Sequence, residues 1–411
     1  MEVQGHLIDS LILSKILDAI MERGGDFEFQ EFRVGRKRAD HSYARIVIWG
    51  ENQKHLDSIL SEVTRYGATL TETPEVSYEP APADSVLPED FYCTTNHPTW
   101  VYLGDQWIPV EDLMMDKQII VDPEKPRAFC KPIANVKKGD LVVVGDKGIR
   151  IQPPERPRHS KGVFEFMNSD VSPERPSTSI IKEIARNLFE QASNGGKIVV
   201  VAGPAVVHTG AAPHLARMVE LGYVDALLTG NALAVHDIEY ALFGTSLGVD
   251  LETSRVVNPR NHIAAINRVM RAGSIENLVR SGELRRGIFY QMVKQGKPFV
   301  LAGSIRDDGP LPEVVKCSRE AQKLYREQVK DAKIVIMLAS TLHSIAVGNM
   351  LTSEVKTVCV DINPAVVVKL SDRGTSHAVG LVTDVGSFLP LLVQELEALS
   401  TQTTKDRPRK Y

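Results

Sequence analysis

The 411-residue chain is 43% hydrophobic and 24% charged, which suits two or three compact domains that each bury a core of their own. Its formal net charge of -4 leaves no basic excess to draw the surface onto phosphate backbones or anionic lipid, which argues against nucleic acid as a partner. No apolar run approaches the roughly 20 residues that cross a bilayer, and the opening MEVQGHLIDS has neither the basic nor the apolar region of a signal peptide, so the expected location is cytoplasmic, with no membrane partner.

Residues 1–80 are predicted to form a ferredoxin-like α+β domain. Leu11, Ile12, Ile16, Leu17 and Ile20 recur at helical spacing up to Gly24-Gly25, the pattern of an amphipathic helix. Two strand-like runs follow, Phe27 to Phe32 with period two and Ala44 to Trp49, separated by the basic Arg36-Lys37-Arg38, and they predict a hairpin with a solvated tip. A second helix over 53–66, with Leu56, Ile59, Leu60 and Val63 facing inward, completes a βαββαβ-like order. The segment 71–90 is rich in Pro, Glu and Ala and has the composition of a linker.

Residues 88–155 are predicted to form a small β-rich module, because Trp100 to Leu103, Ile119 to Val121 and Leu141 to Val144 are short apolar runs divided by Gly and Asp turns. The proline-dense stretch Gln152 to Arg158 reads as a second connector. From 162 to 402 the pattern changes. Apolar runs at Ile198–Val201, Asp225–Leu228, Pro298–Leu301, Ile334–Leu338, Val358–Val360 and Ala378–Val382 alternate with helical stretches, ending in a helix over 389–399. Continuous apolar strands alternating with helices predict a Rossmann-like α/β domain, a parallel sheet covered on both faces.

Cys93, Cys130, Cys317 and Cys359 are too scattered for a disulfide scaffold and form no Cys-x-x-Cys pair. Cys93, His97 and Cys130 match no common zinc module and leave a fourth ligand unidentified, so no metal is expected.

In a parallel sheet, ligands bind beyond the carboxyl ends of the strands. The loops there read Ala202-Gly203-Pro204-Ala205, Thr229-Gly230-Asn231-Ala232, Ala302 to Pro310, Ala339-Ser340-Thr341-Leu342-His343, Asp361-Ile362-Asn363-Pro364 and Thr383-Asp384-Val385-Gly386. Gly and small residues let backbone N–H groups approach a phosphate closely. An acid at a strand end accepts hydrogen bonds from ribose hydroxyls, which makes Asp361 the natural ribose ligand and favours NAD over NADP. No Gly-x-Gly-x-x-Gly follows any strand; taken singly, these residues also read as loop punctuation and helix caps, and it is their recurrence that points to a dinucleotide.

Thr229-Gly230-Asn231-Ala232-Leu233-Ala234-Val235-His236-Asp237-Ile238-Glu239, Val360 to Pro364 and Thr383 to Gly386 resemble the family that carries the conserved region named for lysine-ketoglutarate reductase/saccharopine dehydrogenase (LOR/SDH). That family includes archaeal-type ornithine cyclodeaminases and the C-terminal half of a cyanobacterial bifunctional arginine dihydrolase/ornithine cyclodeaminase. The similarity runs from Gly5-His6-Leu7-Ile8-Asp9 to the final helix. It implies a deoxyhypusine-synthase-like Rossmann domain that binds NAD through Asn231, Ala232, Asp308, Ser340, Thr341, Leu342, His343, Asp361, Asn363, Asp384 and Val385. It also implies conversion of L-ornithine to L-proline and ammonia by oxidation at Cα, cyclisation, ammonia loss and hydride return. With no arginine-degrading domain in the chain, arginine is not the expected substrate. Domains of this type self-associate, so a homo-oligomer, dimer or tetramer, is expected.

Such chemistry needs a cation for the substrate carboxylate and an acid/base for the nitrogens. Arg306 is the candidate for the first, and His236 or Asp237 for the second; His236 and Asp237 are equally placed to cap and orient the helix that begins near Asn231. His208, His214, His262 and His377 show no partner in the sequence and read as surface or structural residues. Two other readings remain open: an amino-acid or saccharopine dehydrogenase that releases NADH, and a non-catalytic module that senses an amino acid and NAD.

Overall fold

The computed structural model describes residues 1–5, 7, 12–35, 40–64, 66–69, 74–115, 117–152, 177–251, 253, 255, 261–307, 309–373 and 378–405. The chain divides into two units, Met1–Lys161 and Gly162–Tyr411.

In the first unit, β1 (Glu2–Gly5), α1 (Ile12–Glu22), β2 (Asp26–Arg33), β3 (Ser42–Trp49) and α2 (Gln53–Thr64) follow one another. The strands form an antiparallel sheet in the order β1-β3-β2, and Thr69 adds one antiparallel bridge to Glu2. Four strand positions with two helices give the ferredoxin-like βαββαβ arrangement. The helical spacing of Ile12, Ile16 and Ile20 puts them on one face of α1, buried with Ile59 and Val63 of α2 against Val3, Ala44 and Ile46. A register shift between Phe29 and Glu31 pairs Phe29 with Ile46 and Phe32 with Ala44, which returns Phe32 to the face of Phe29, their rings 5.5 Å apart; at the far end of the strand Phe32 is still 43% exposed. Arg36, Lys37 and Arg38 lie outside the described residues.

The same unit continues with β4 (Ser77–Pro80), β5 (Thr99–Leu103), β6 (Gln106–Glu111), β7 (Gln118–Asp122), β8 (Arg127–Lys131), β9 (Leu141–Val144) and β10 (Ile149–Ile151). They form one sheet ordered β10-β5-β6-β8-β7-β9-β4, antiparallel except for the parallel β6–β8 pair. The stretch predicted as a linker thus supplies β4, which pairs with β9. Its four residues are exposed and it sits at the sheet edge, where proline and charge are tolerated, so its composition resembles a linker's. Cys130 faces Thr94 Oγ1 at 3.8 Å.

The second unit begins at α3 (Ser177–Ser193) and runs through β11 (Lys197–Ala202), α4 (Ala205–His208), α5 (Ala212–Glu220), β12 (Ala226–Gly230), α6 (Asn231–Phe243), β13 (Thr245–Ser246), β14 (Val249–Asp250), α7 (Asn261–Ala272), α8 (Ile275–Arg280) and α9 (Ile288–Lys294). It continues with β15 (Phe299–Ala302), β16 (Val314–Val315), α10 (Ser318–Val329), β17 (Ala332–Leu338), α11 (Thr341–Gly348), β18 (Lys356–Asp361), α12 (Pro364–Arg373), β19 (Ala378–Val382) and α13 (Val385–Lys405). Seven strands form a sheet in the order β16-β15-β12-β11-β17-β18-β19, with every pairing parallel. Ile198, Val200 and Ala202 enter one core with α3, α5, α6, α9 and α13, while Val199 and Val201 enter the other with α10, α11 and α12. Burial on both faces is why these strands are apolar throughout. Among the described residues no helix is long and apolar enough to cross a membrane.

The strand order fixes where a ligand can sit. From β11 the chain steps through β12 and β15 to β16 at one edge, then returns to β17 on the other side of β11 and steps outward to β19. The loops after β11 and β17 therefore leave in opposite directions and open a crevice at this switch point.

Candidate active site

At the switch point Gly203 follows β11 and Ala339 follows β17. A Cβ built on Gly203 would land on the Ala339 carbonyl oxygen, so only glycine lets the two strand ends lie so close. Ala339 has φ +45°, a left-handed value uncommon for a residue with a side chain. That turn leads into α11, whose N-cap Ser340 does not bond a backbone N–H; its hydroxyl instead pairs with His343 Nδ1 at 3.0 Å. The first N–H groups of α11 are thus left uncapped by Ser340, the arrangement that receives a phosphate. The N-terminus of α6 is similar, because its N-cap Gly230 has no side chain to offer.

Two neighbouring helices contrast with these. Asn363 Oδ1 accepts from Ala365 N at 3.0 Å at the start of α12, and Asp384 Oδ1 accepts from Gly386 N at 3.0 Å at the start of α13. Asn363 and Asp384 therefore act as caps, with Val385 buried at the first position of α13. The open N-termini belong to the helices that flank the crevice.

Asp361 ends β18, about 20 residues beyond the β17–α11 turn, the spacing at which a mononucleotide-binding half places its ribose acid. It is buried to 8% exposure, and Oδ1 accepts from Asn363 N at 2.8 Å. The β17–α11–β18 segment has the order and spacing of a mononucleotide-binding half, with Thr341 and Leu342 after its first strand. Leu342 is 72% and Ile362 73% exposed, and Ile305 is fully open.

The other half comprises the ends of β11, β12 and β15. Asn231, buried at the start of α6 beside Ala232, donates from Nδ2 to the Gly309 carbonyl at 3.3 Å and accepts at Oδ1 from Leu311 N at 3.1 Å. It ties the loop after β15 over the α6 N-terminus. His343 closes the gap from the far side, 3.0 Å from where a Gly230 Cβ would lie, with Tyr325 against it at a ring separation of 6.2 Å. Burial lowers the His343 pKa, with Asp307 acting in the opposite direction. The Tyr325 hydroxyl donates to the Thr229 carbonyl at 2.6 Å, and its burial pushes its pKa up. Arg306 is exposed on the loop that Asn231 anchors, and its backbone N–H donates to Ser304 Oγ at 3.2 Å. Asp308 lies outside the described residues.

His236 and Asp237, adjacent in sequence, face different surroundings. Asp237 is fully buried, and its two oxygens accept from Ile288 N and Phe289 N, each at 3.0 Å. It thus caps α9 from another helix, and Gly287 at φ +105° leaves room for it, since a Cβ there would sit 2.8 Å from Oδ2. Burial raises the Asp237 pKa to about 6, against the pull of the two N–H groups. Of the two roles open to it in sequence, capping is the one its geometry serves, although the helix it caps is α9 rather than its own.

His236 Nδ1 lies 3.3 Å from Glu239 Oε2. Glu239 is fully buried and accepts from Thr245 Oγ1 at 2.9 Å, Leu247 N at 2.9 Å and Gly248 N at 2.7 Å. Burial alone would raise its pKa, but the bonds from His236, Gly248, Thr245 and Leu247 outweigh it and hold the carboxylate low. The sequence carried a hint of this pair, because residues three apart on a helix share a face.

Three family models together cover residues 1–392. The first, the LOR/SDH bifunctional enzyme conserved region, matches residues 1–97; the C-terminal first region of the ArgZ-like arginine dihydrolases matches 98–181, and their C-terminal Rossmann fold matches 182–392. A protein of Methanothermobacter thermautotrophicus named ornithine cyclodeaminase is 54% identical, over 97% of this chain and 98% of its own. A solved LOR/SDH protein of Methanococcus maripaludis is 54% identical with a TM-score of 0.75, over 80% of this chain and 99% of that one. AgrE, solved as a ternary complex with ornithine and NAD+, is 42% identical with a TM-score of 0.55, over 98% of this chain and 57% of AgrE; the curated AgrE is the bifunctional arginine dihydrolase/ornithine cyclodeaminase of Nostoc.

Proposed function

Because the chain belongs to the LOR/SDH family with an ArgZ-like C-terminal region, we propose that it is an NAD-dependent ornithine cyclodeaminase, converting L-ornithine to L-proline and ammonia. The observation that carries this reading is the mononucleotide half at the switch point: an uncapped α11 N-terminus beside a glycine that only a bare backbone could replace, with Asp361 one strand away. These residues fit a dinucleotide. The α11 N–H groups would hold its pyrophosphate and Asp361 a ribose, with Leu342 and Ile362 on the adenine side. Asn231, Ala232 and His343 then border the nicotinamide half, with Asp308 proposed beside them.

NAD supplies the acceptor that takes a hydride from Cα of the substrate and gives it back to the ring carbon. The protein's own work is to hold the substrate, exclude water and move protons. Arg306, a cation on the loop that Asn231 ties over α6, is proposed for the substrate carboxylate. His236, whose Nδ1 is engaged by Glu239, is proposed to exchange protons through Nε2. Asp237 is left to hold α9. A homo-oligomer is proposed as well, supported by the exposed apolar side chains of Phe243 at the end of α6, Leu247 in the turn after it, and Ile263 and Met270 on α7, and so is a cytoplasmic location.

Incubation with L-ornithine, with and without added NAD, tests the reading when proline, ammonia and NADH absorbance are followed together. Equal proline and ammonia without accumulating NADH is the expected result. Accumulating NADH overturns it in favour of a dehydrogenase, and NAD binding without any product overturns it in favour of a sensing module.

A further inference from the structure

His208 ends the short helix that follows β11, and the fold sets it against His236. The two rings lie 4.7 Å apart, tilted by 56°. His208 is exposed whereas His236 is 8% exposed, so the pair leads from the surface inward. His208 Nδ1 lies 2.7 Å from Ser246 Oγ. Thr209, the next residue, carries the carbonyl that lies 3.0 Å from where a Gly386 Cβ would be, which brings this segment to the edge where the loop after β19 also ends.

Glu239 serves both rings. It bonds His236 directly, and through Leu247 N and Gly248 N it holds the two-residue turn between β13 and β14. That turn has Leu247 at φ +53° and Gly248 at φ +74°, and a leucine is held in the left-handed region only when its surroundings impose it. The turn is what presents Ser246 to His208. With the carboxylate accepting from Thr245, Leu247 and Gly248, a lone pair on His236 Nδ1 would face the charge of Oε2. His236 therefore carries its proton on Nδ1, which leaves the lone pair on Nε2.

We infer that His208 is a second catalytic imidazole, exchanging a proton with one amino nitrogen of the substrate while His236 serves the other, and that Glu239 and Ser246 are the residues that position them. The inference rests on the ornithine reading, since a diamine poses the problem two imidazoles solve. The δ-ammonium gives its proton to one ring, and the freed lone pair forms the new bond to Cα. The new ring nitrogen, still protonated, gives its second proton to the other ring, which passes it to the α-nitrogen; the lone pair so freed forms the cyclic iminium as the bond from Cα to the α-nitrogen breaks with its pair on nitrogen, and ammonia departs. Two protons leave the δ-nitrogen, one reaches the α-nitrogen and one is released to water from the first ring, and this exchange of nitrogens is itself redox-neutral. Burial, and then His236, lower the His208 pKa, with Glu239 opposing them, so the ring is neutral at physiological pH and keeps a lone pair for a proton.

The test joins a spectroscopic readout to a kinetic one. In ¹⁵N-histidine-labelled protein the expected spectrum shows His236 protonated on Nδ1, a state lost in Glu239→Gln; protonation on Nε2 in the wild type overturns the positioning by Glu239. His208→Asn, which keeps a partner for Ser246, is expected to bind NAD with unchanged affinity by calorimetry and to form proline about 100-fold more slowly, in kcat rather than KM. Wild-type proline formation separates the two readings. Its absence overturns the ornithine assignment, and its presence with His208→Asn within about threefold of wild type overturns the role of His208.

Discussion

Asp237→Asn separates a structural carboxylate from a catalytic one. In the folded protein the Asp237 pKa is pushed from 3.8 to about 6, above its unfolded value, so the native state binds the extra proton between those values. Stability contributed by this group is thus present at low pH and lost as pH rises through about 6. At about 1.4 kcal/mol per pKa unit, the loss between pH 3 and neutrality is about 3 kcal/mol. Asparagine does not titrate, so the stability of the variant relative to wild type should rise by about 3 kcal/mol over that range. Opposing this is a pH-independent penalty of about 1–3 kcal/mol, because the amide nitrogen must face one of the two N–H groups of α9. Near neutrality the variant should therefore roughly match wild type and retain its turnover. Urea denaturation followed by far-UV circular dichroism at several pH values measures the difference, and contributions common to both proteins cancel. A gap that stays flat or falls as pH rises would refute the reasoning, since the α9 N-terminus would then favour the charge more than burial opposes it.

Two further outcomes are expected. Gly287→Ala places a Cβ 2.8 Å from Asp237 Oδ2 at φ +105°, and should lower stability by about 3 kcal/mol; a melting temperature within about two degrees of wild type would show that the cap is not needed. Asp361→Asn keeps an oxygen for Asn363 N but removes the charge proposed to meet a ribose. It should weaken NAD binding by about tenfold or more in calorimetry, and an unchanged affinity would remove Asp361 from the cofactor site.

The sheet was legible because strands buried on both faces must be apolar at every position, and Val199 to Val201 or Ile334 to Leu338 admit no other economical packing. The edge strand β4 was not, because an edge needs neither continuous apolarity nor freedom from proline, and Ser77 to Pro80 reads as a connector until β9 is known to lie beside it. The rim followed the same division. Asp361, Ser340 and Asn231 were visible because position after a strand identifies them. That Asn363 and Asp384 are committed to capping, while Ser340 turns away from its own helix toward His343, depends on rotamers that no pattern in the chain encodes.

The same limit explains why His236 and Asp237 could not be told apart in sequence. Consecutive helical positions point about 100° apart, so one of them meets Glu239 on its own helix while the other meets α9, some 50 residues later in the chain. The first contact is local and follows from a spacing of three. The second required knowing that Gly287 leaves space for a carboxylate. His208 was more deeply hidden, because both of its partners are contributed by elements beyond β12, and Ser246 reaches it only through a turn that Glu239 holds. A residue becomes a candidate for chemistry here when buried charge organises its neighbours. In this site that charge is Glu239, the last residue of a motif whose conspicuous member was the histidine before it.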